Sequence, residues 1–294
     1  MASSNKTHWL LHVLFIFIAC STILPIILVF MVSITDETTI AQNGYSFLPQ
    51  KISFEAYRYL FLDSMTIIRA YGVTIFITVV GTLGGLLLTA LLAYPISRKD
   101  FPYKNGLTFF VFFTMLFNGG LVPWYLVFTK LIPLKDTVWS LVIPGLLLNG
   151  FFVLIMRTFF ATSIPMAIIE SAYMDGASES KIFVQIVIPL STPVLATVGL
   201  FNTLAYWNDW FNSLVFLSNS KLYSLQYLLN KILLNIQFLA QNSRNTNAAQ
   251  LMATLPTETV RMAMAIIGIG PIVLAYPFFQ KYFVKGLTVG AVKG

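Results

Sequence analysis

Between Arg69 and Arg98 the chain reads AYGVTIFITVVGTLGGLLLTALLAYPIS, residues 70 to 97, a stretch without a single Asp, Glu, Lys or Arg. Its 28 residues exceed the ~20 that an α-helix rising ~1.5 Å per residue needs to cross a hydrocarbon layer ~30 Å thick. Five more charge-free runs of 19 residues or longer follow the same rule: Thr7 to Thr35, Asn105 to Thr129, Thr137 to Met156, Ile182 to Asn208 and Met262 to Gln280. We therefore expect an all-α integral membrane protein with six transmembrane helices, at about 9–33, 70–97, 105–129, 137–160, 187–216 and 260–281. Spanning β-strands would instead alternate apolar and polar residues over ~10-residue segments, and no such alternation occurs.

Composition agrees. Of 294 residues, 57% are hydrophobic and only 10% charged, where a soluble chain carries about 25% charged residues. The mean hydropathy of +0.79 is that of a protein solvated by lipid. The net charge of +7 fits basic residues facing an anionic inner leaflet and requires no nucleic-acid partner.

The first run resembles an export signal in that Lys6 precedes apolar residues and Phe17-Ile18-Ala19-Cys20 faintly suggests a lipoprotein cleavage site. Its apolar character continues to Val32, beyond the usual 7–15-residue signal core, so a retained anchor is expected. Cys20 is the single cysteine and the two histidines are His8 and His12, so a metal site is not expected. The compact hairpin Arg98-Lys99-Asp100-Phe101-Pro102-Tyr103-Lys104 and the basic tail with Lys281, Lys285 and Lys293 place the N-terminus in the cytoplasm by the positive-inside rule.

The segment 161–186 falls on that same side. Ser163 with Pro165 suits a helix start, Asp175-Gly176 suits a turn with one residue at positive φ, and Ser178 suits a second start before Ile182, Phe183 and Ile186. Two short helices joined at a glycine form a knob shaped to dock in a groove.

Glu170-Ser171-Ala172-Tyr173-Met174-Asp175-Gly176-Ala177, followed by Phe183, Ile188-Pro189-Leu190 and Pro193, resembles the EAA loop of bacterial ABC-importer membrane subunits, with Ser171 where Ala is usual. The resemblance narrows to the carbohydrate, maltose-permease-like, type I group through Tyr206-Trp207-Asn208-Asp209-Trp210-Phe211, and to its oligosaccharide and polysaccharide branch through Phe117-Asn118-Gly119-Gly120-Leu121-Val122-Pro123-Trp124-Tyr125. It implies the type I importer fold, a single permease domain over 1–294, a cytoplasmic coupling helix in 161–186 and an external loop at 217–257 facing a binding protein. It also implies that Glu170, Ala172, Asp175, Gly176 and Ala177 couple to a separate ATPase, with the two alanines keeping the knob slim. The implied partners are a second homologous permease, two ATPase subunits holding ATP and Mg, a lipid-anchored or periplasmic substrate-binding protein, and membrane lipids.

A sugar offers hydroxyl edges and apolar faces, so its path should combine aromatic rings with amides or carboxylates. The candidates are Asn118, Tyr206, Trp207, Asn208 and Asp209, with Trp124, Tyr125, Asn149 and Asn202 behind them. For each the plain alternative is an interfacial aromatic or an interhelical hydrogen bond. Gly81, Gly84 and Gly85 suit tight packing of the second helix. The chain has no phosphate-binding loop and no H-E-x-x-H or G-x-S-x-G motif, so it is expected to be a transport subunit rather than an enzyme. The rival reading, a gradient-driven secondary transporter, commonly uses intramembrane carboxylates, and the six runs hold none.

Overall fold

A computed structural model describes residues 2–145, 147–241 and 256–291. The fifteen helices named here are α1 (Ala2–Ser33), α2 (Glu37–Asn43), α3 (Glu55–Leu60), α4 (Ser64–Ser97), α5 (Lys104–Leu116), α6 (Leu121–Leu126), α7 (Trp139–Val142) and α8 (Gly150–Ser163), then α9 (Met166–Met174), α10 (Glu179–Ile182), α11 (Ile188–Leu190), α12 (Thr192–Trp207), α13 (Phe211–Phe216), α14 (Leu225–Gln241) and α15 (Thr257–Ala291). Short π-helical turns at Val127–Leu131 and Phe183–Val187 continue α6 and α10. No strand occurs among the described residues, apart from one isolated bridge between Thr35 and Ile52.

Among the described residues, three continuous segments are long and apolar enough to cross a bilayer: Trp9–Ser33, Glu55–Ser97 and Thr257–Tyr282. Three bent pairs reach the same standard only together, Lys104–Leu116 with Leu121–Leu131, Gly150–Ser163 with Met166–Met174, and Glu179–Leu190 with Thr192–Trp207.

The bends correct the expectation of one unbroken helix per apolar run. The helix expected at 105–129 turns by 115° at Phe117–Gly120, where the Asn118 Oδ1 accepts the Gly120 N–H at 2.9 Å and Gly120 takes φ +83°. An Asn that satisfies the backbone locally, followed by a residue in the left-handed region, ends a helix whatever its hydropathy. The helix expected at 137–160 is only the short α7 until Pro144 and Gly145, at φ +79°, interrupt it; α8 restarts behind Asn149, whose side chain accepts the Phe151 N–H. The helix expected at 187–216 bends by 79° around Ser191 and breaks again at Asn208–Trp210.

The external segment expected at 217–257 is not merely a polar linker, since α14 fills residues 225–241 with Leu225, Leu228, Leu229 and Ile236 buried. Those spacings are helical, and Ser224 supports the start with a hydroxyl that accepts the Tyr227 N–H at 3.4 Å. Residues 242–255 of that segment lie outside the described residues.

The described residues fall into two compact units, one drawn from Met1–Ile67 and Leu229–Pro271, the other from Ile68–Leu228 and Ile272–Gly294. In the first, the Glu37 carboxylate receives the N–H groups of Glu258 at 2.8 Å and Thr259 at 2.9 Å, and the hydroxyls of Thr257 and Thr259. It thereby caps α15, supplying both acceptors and negative charge to the positive end of that helix.

Among the described residues the second unit gathers two apolar cores. One gathers Ile77, Leu141, Val142, Leu217 and Tyr223. The other joins Ala90, Tyr94 and Ile96 of α4 and Met156 and Phe160 of α8 to Ile169, Ile182, Phe183 and Val187 of the segment between α8 and α12. Gly81, Gly84 and Gly85 face Tyr206, Leu147 and Asn202, so their close packing is intramolecular within this unit.

Candidate functional site

The knob read from residues 161–186 is formed by α9, the Asp175–Gly176 turn and α10. Its entry differs in detail from expectation, because Ser163 ends α8 and Pro165, at φ −63° and ψ 128°, stands at the N-cap of α9 instead of its first helical position. Proline has no backbone N–H to donate and biases Ile164 away from the helix, so the chain turns by 76° between α8 and α9.

The exit follows the sequence reading closely. The Ala177 N–H bonds to the Ala172 carbonyl at 2.9 Å and the Gly176 N–H to the Tyr173 carbonyl at 2.9 Å, the paired bonds of a Schellman motif. Gly176 occupies its left-handed position at φ +75°. Ser178 then caps α10, its hydroxyl accepting the Lys181 N–H at 3.4 Å.

The two faces of the knob differ. Ile169, Ala172, Ile182 and Phe183 are buried in the core shared with α4 and α8, while Glu170, Asp175 and Gly176 are exposed. Ala172 and Ala177 were expected to slim the knob for a partner; instead Ala172 lies in the chain's own core and Ala177 packs half-buried against it. Their small size lets the turn sit close to its own base. Met174, outside the set expected from the sequence, stands 89% exposed at the end of α9. Its position just before Asp175-Gly176 was the available signal, since the last residue before such a turn projects from it.

A polar network fastens the knob to the end of α4. The Tyr94 hydroxyl donates to Glu179 Oε2 at 2.6 Å, the Tyr173 hydroxyl donates to the other oxygen of the same carboxylate, and Arg98 Nη2 donates to the Tyr173 hydroxyl at 3.3 Å. Arg98 also forms a two-pronged pair with Asp100, at 3.1 Å for each contact, and this holds the Asp100 carboxyl below its ordinary range. The Tyr94 and Phe183 rings meet at 5.2 Å. Polar and apolar contacts together tie the knob to α4 and α8.

The residues proposed from sequence for a sugar path separate. Tyr206 is fully buried and donates its hydroxyl to the Val142 carbonyl at 2.9 Å, and Trp207 is 4% exposed. Asp209 accepts the Phe211 and Asn212 N–H groups and the Asn212 side-chain amide, so from just before the Trp210 N-cap it holds the first turn of α13. Asn208 and Asn118 are exposed, each bonded to its own local backbone.

The exposed aromatic surface lies one turn further on. Trp124 stacks near Phe211 at 6.2 Å and packs on Phe216 at 4.8 Å, while Tyr125 stacks on Phe216 at 5.8 Å. Trp210 and Phe211 remain 41% and 39% exposed. The two motifs that looked separate, Phe117–Tyr125 and Tyr206–Phe211, thus converge on one aromatic patch. Asp136 holds the neighbouring turn, its carboxylate accepting the N–H groups of Ser218 and Asn219.

Residues 81–289 match the family of binding-protein-dependent transport system inner membrane components. The chain is 38% identical to Protein LplC of Bacillus subtilis (strain 168), across 93% of this chain and 90% of that protein. It is 35% identical to the polygalacturonan/rhamnogalacturonan transport system permease protein YtcP of the same organism, across 92% and 93%. A solved bacterial ABC transporter involved in the import of the acidic polysaccharide alginate includes a chain that matches with a TM-score of 0.80 and 32% identity, covering 96% of this chain and 98% of that one. The chain belongs to the family of binding-protein-dependent transport system inner membrane components. It is a multi-pass bacterial membrane protein with the type I ABC-importer fold, a transport subunit that works with an ATPase and a substrate-binding protein.

Proposed function

We propose that this subunit forms half of the translocation pathway of a carbohydrate importer, opposite a second homologous permease chain, and carries an oligosaccharide or a longer polymer. Two of the similar proteins are named for polymeric cargo, polygalacturonan/rhamnogalacturonan and alginate, which supports a polymeric carbohydrate here. ATP and Mg reside on two ATPase subunits, and Glu170, Met174, Asp175 and Gly176 make the contact with one of them. Ala172 and Ala177 serve the same coupling from within, by seating the turn on its core. The N-terminus lies in the cytoplasm, with six membrane crossings formed by the three continuous segments and three bent ones, and the binding protein docks outside.

One observation carries this reading: the α9–α10 knob presents Glu170, Met174, Asp175 and Gly176 outward while its inner face is locked onto α4 and α8. A surface so divided is suited to receive a push and pass it on. ATP and loaded binding protein then favour the same outward-open state, which is what coupling means thermodynamically. On the outer side the patch of Trp124, Trp210 and Phe211 offers ring faces for sugar C–H groups, with Asn118 and Asn208 as polar companions and Tyr206, Trp207 and Asp209 as its supports.

The test is to replace Cys20 with Ser, introduce Met174→Cys, purify the chain gently from its membrane and apply a short thiol-to-amine crosslinker. An ATPase subunit crosslinked through position 174, with a second permease and a binding protein co-purifying, is the expected result. A homo-oligomer without an ATPase would overturn the reading.

A further inference from the structure

Where the chain leaves the apolar run of α4, a cavity of about 300 Å³ opens beside the knob. Its lining carries four basic side chains, Arg98, Lys99, Lys104 and Arg157, and no carboxylate. Like charges gathered this closely repel unless an anion lies among them.

The nearby acids are already committed. Asp100 is paired with Arg98, and Glu179 accepts the hydroxyls of Tyr94 and Tyr173. The bases are left underused. Arg98 is 7% exposed, yet its Nη1 has no hydrogen-bond partner among the described residues. Arg157 gives only its Nε, to the Ile96 carbonyl at 3.3 Å, and Lys104 gives its ammonium to the Lys99 carbonyl at 2.7 Å. Among the described residues Lys99, Lys104 and Arg157 form no ion pair. A buried guanidinium donor left unmet costs free energy, and an anion in the cavity would relieve it.

We propose that this cavity binds a phosphate group, from an anionic lipid headgroup or from a soluble phosphate, and that its occupancy braces the knob. Arg157 can turn its two Nη groups on a phosphate's oxygens and Arg98 adds its unmet Nη1, while two ammonium groups add charge without demanding fixed geometry. The position, at the end of an apolar run and against the apolar side of Phe160, is where a basic pocket meets lipid headgroups. Met166 and Ile169 of α9 form part of the same wall, so a bound anion touches α4, α8 and the coupling segment together. The bracing role rests on the coupling function proposed above; the binding itself does not.

The experiment uses the chain with whatever subunits accompany it, in nanodiscs of phosphatidylcholine with or without phosphatidylglycerol. Native mass spectrometry without ATP reads retained phosphatidylglycerol, and a thermal-shift series in phosphatidylcholine alone reads inorganic phosphate. The variant Lys104→Gln/Arg157→Gln leaves the Arg98–Asp100 pair intact; Lys99→Gln, at an exposed side chain, serves as a second and milder probe. We expect the double variant to lose binding about thirtyfold, the worth of two basic residues at an anionic headgroup. Loss of retained lipid with no response to phosphate assigns the site to a headgroup, and a phosphate-dependent shift lost in the variants assigns it to a soluble anion. Equal binding of both probes by wild type and variants, or an acidic side chain of a partner subunit found in the cavity, would overturn the proposal. Because binding is read without ATP, these outcomes stand whether or not position 174 reaches an ATPase.

Discussion

The ring of Tyr206 lies where a side chain at position 81 would have to be: a Cβ added to Gly81 would approach the ring carbons to 2.2–2.5 Å. Tyr206 cannot yield easily, being fully buried with its hydroxyl fixed to the Val142 carbonyl at 2.9 Å. Gly81→Ala should therefore destabilise the detergent-solubilised protein by about 1–3 kcal/mol, the usual cost of overpacking. Pairing it with Tyr206→Leu should recover part of the loss. Equal melting temperatures for wild type and Gly81→Ala would show that the ring does not press on α4.

Gly176 presents the opposite case. A Cβ there would meet nothing within 4 Å, yet φ is +75°. The restriction is torsional, so Gly176→Ala should cost only about 1–2 kcal/mol locally. Gly176→Trp adds bulk on the outward face and should leave the membrane helices folded while abolishing substrate-stimulated ATP hydrolysis in the reconstituted complex. Normal stimulated turnover would contradict the coupling role.

Glu37 should prove decisive for the start of α15. Its two oxygens together accept four donors from Thr257, Glu258 and Thr259. Glu37→Gln keeps the shape but replaces one acceptor with a donor and removes the charge facing the helix end. We expect a loss of about 1–2 kcal/mol, read as faster hydrogen exchange at residues 258 and 259. Unchanged exchange would mean that water replaces the cap without cost.

Asp36 gives an acid-dependent counterpart. Hydrogen bonds from Thr38, and then from Lys51, hold its carboxyl at about 2, below the ordinary 3.8. A depressed pKa contributes stability that is complete above the unfolded value and disappears as pH falls through the folded one. The α2 region should thus weaken between about pH 4 and pH 2, and Asp36→Asn should flatten this dependence. Parallel acid curves for the two proteins, followed by exchange in residues 34–53, would refute the assignment.

Much of this architecture is legible in the residues themselves. Charge-free runs report lipid because a charge at bilayer depth is costly whichever helix bears it. The Asp175-Gly176 turn is legible because one residue's backbone freedom ends α9. The bends at Asn118–Gly120, Pro144–Gly145 and Ser191 are harder to see, since hydropathy averages over the residues that cause them. Tyr206 and Trp207 resemble sugar-binding groups in composition, but which face of α12 they occupy depends on α4, and Gly81 alone does not reveal its partner. Glu37 and Thr259 stand 222 residues apart, and no local pattern announces that pairing.

Met174 bears on the life of the chain before assembly. It is 89% exposed, and Met166, Ile168 and Tyr173 on the same short helix are 39%, 42% and 38% exposed. On the coupling role proposed above, an apolar surface of this kind is tolerated while an ATPase covers it and adhesive when it does not. A cell that synthesises this subunit in excess of its ATPase leaves a sticky orphan in the membrane, a target for chaperones and membrane proteases. On that reading, matched production of the subunits and rapid disposal of any surplus are what the exposed end of α9 calls for.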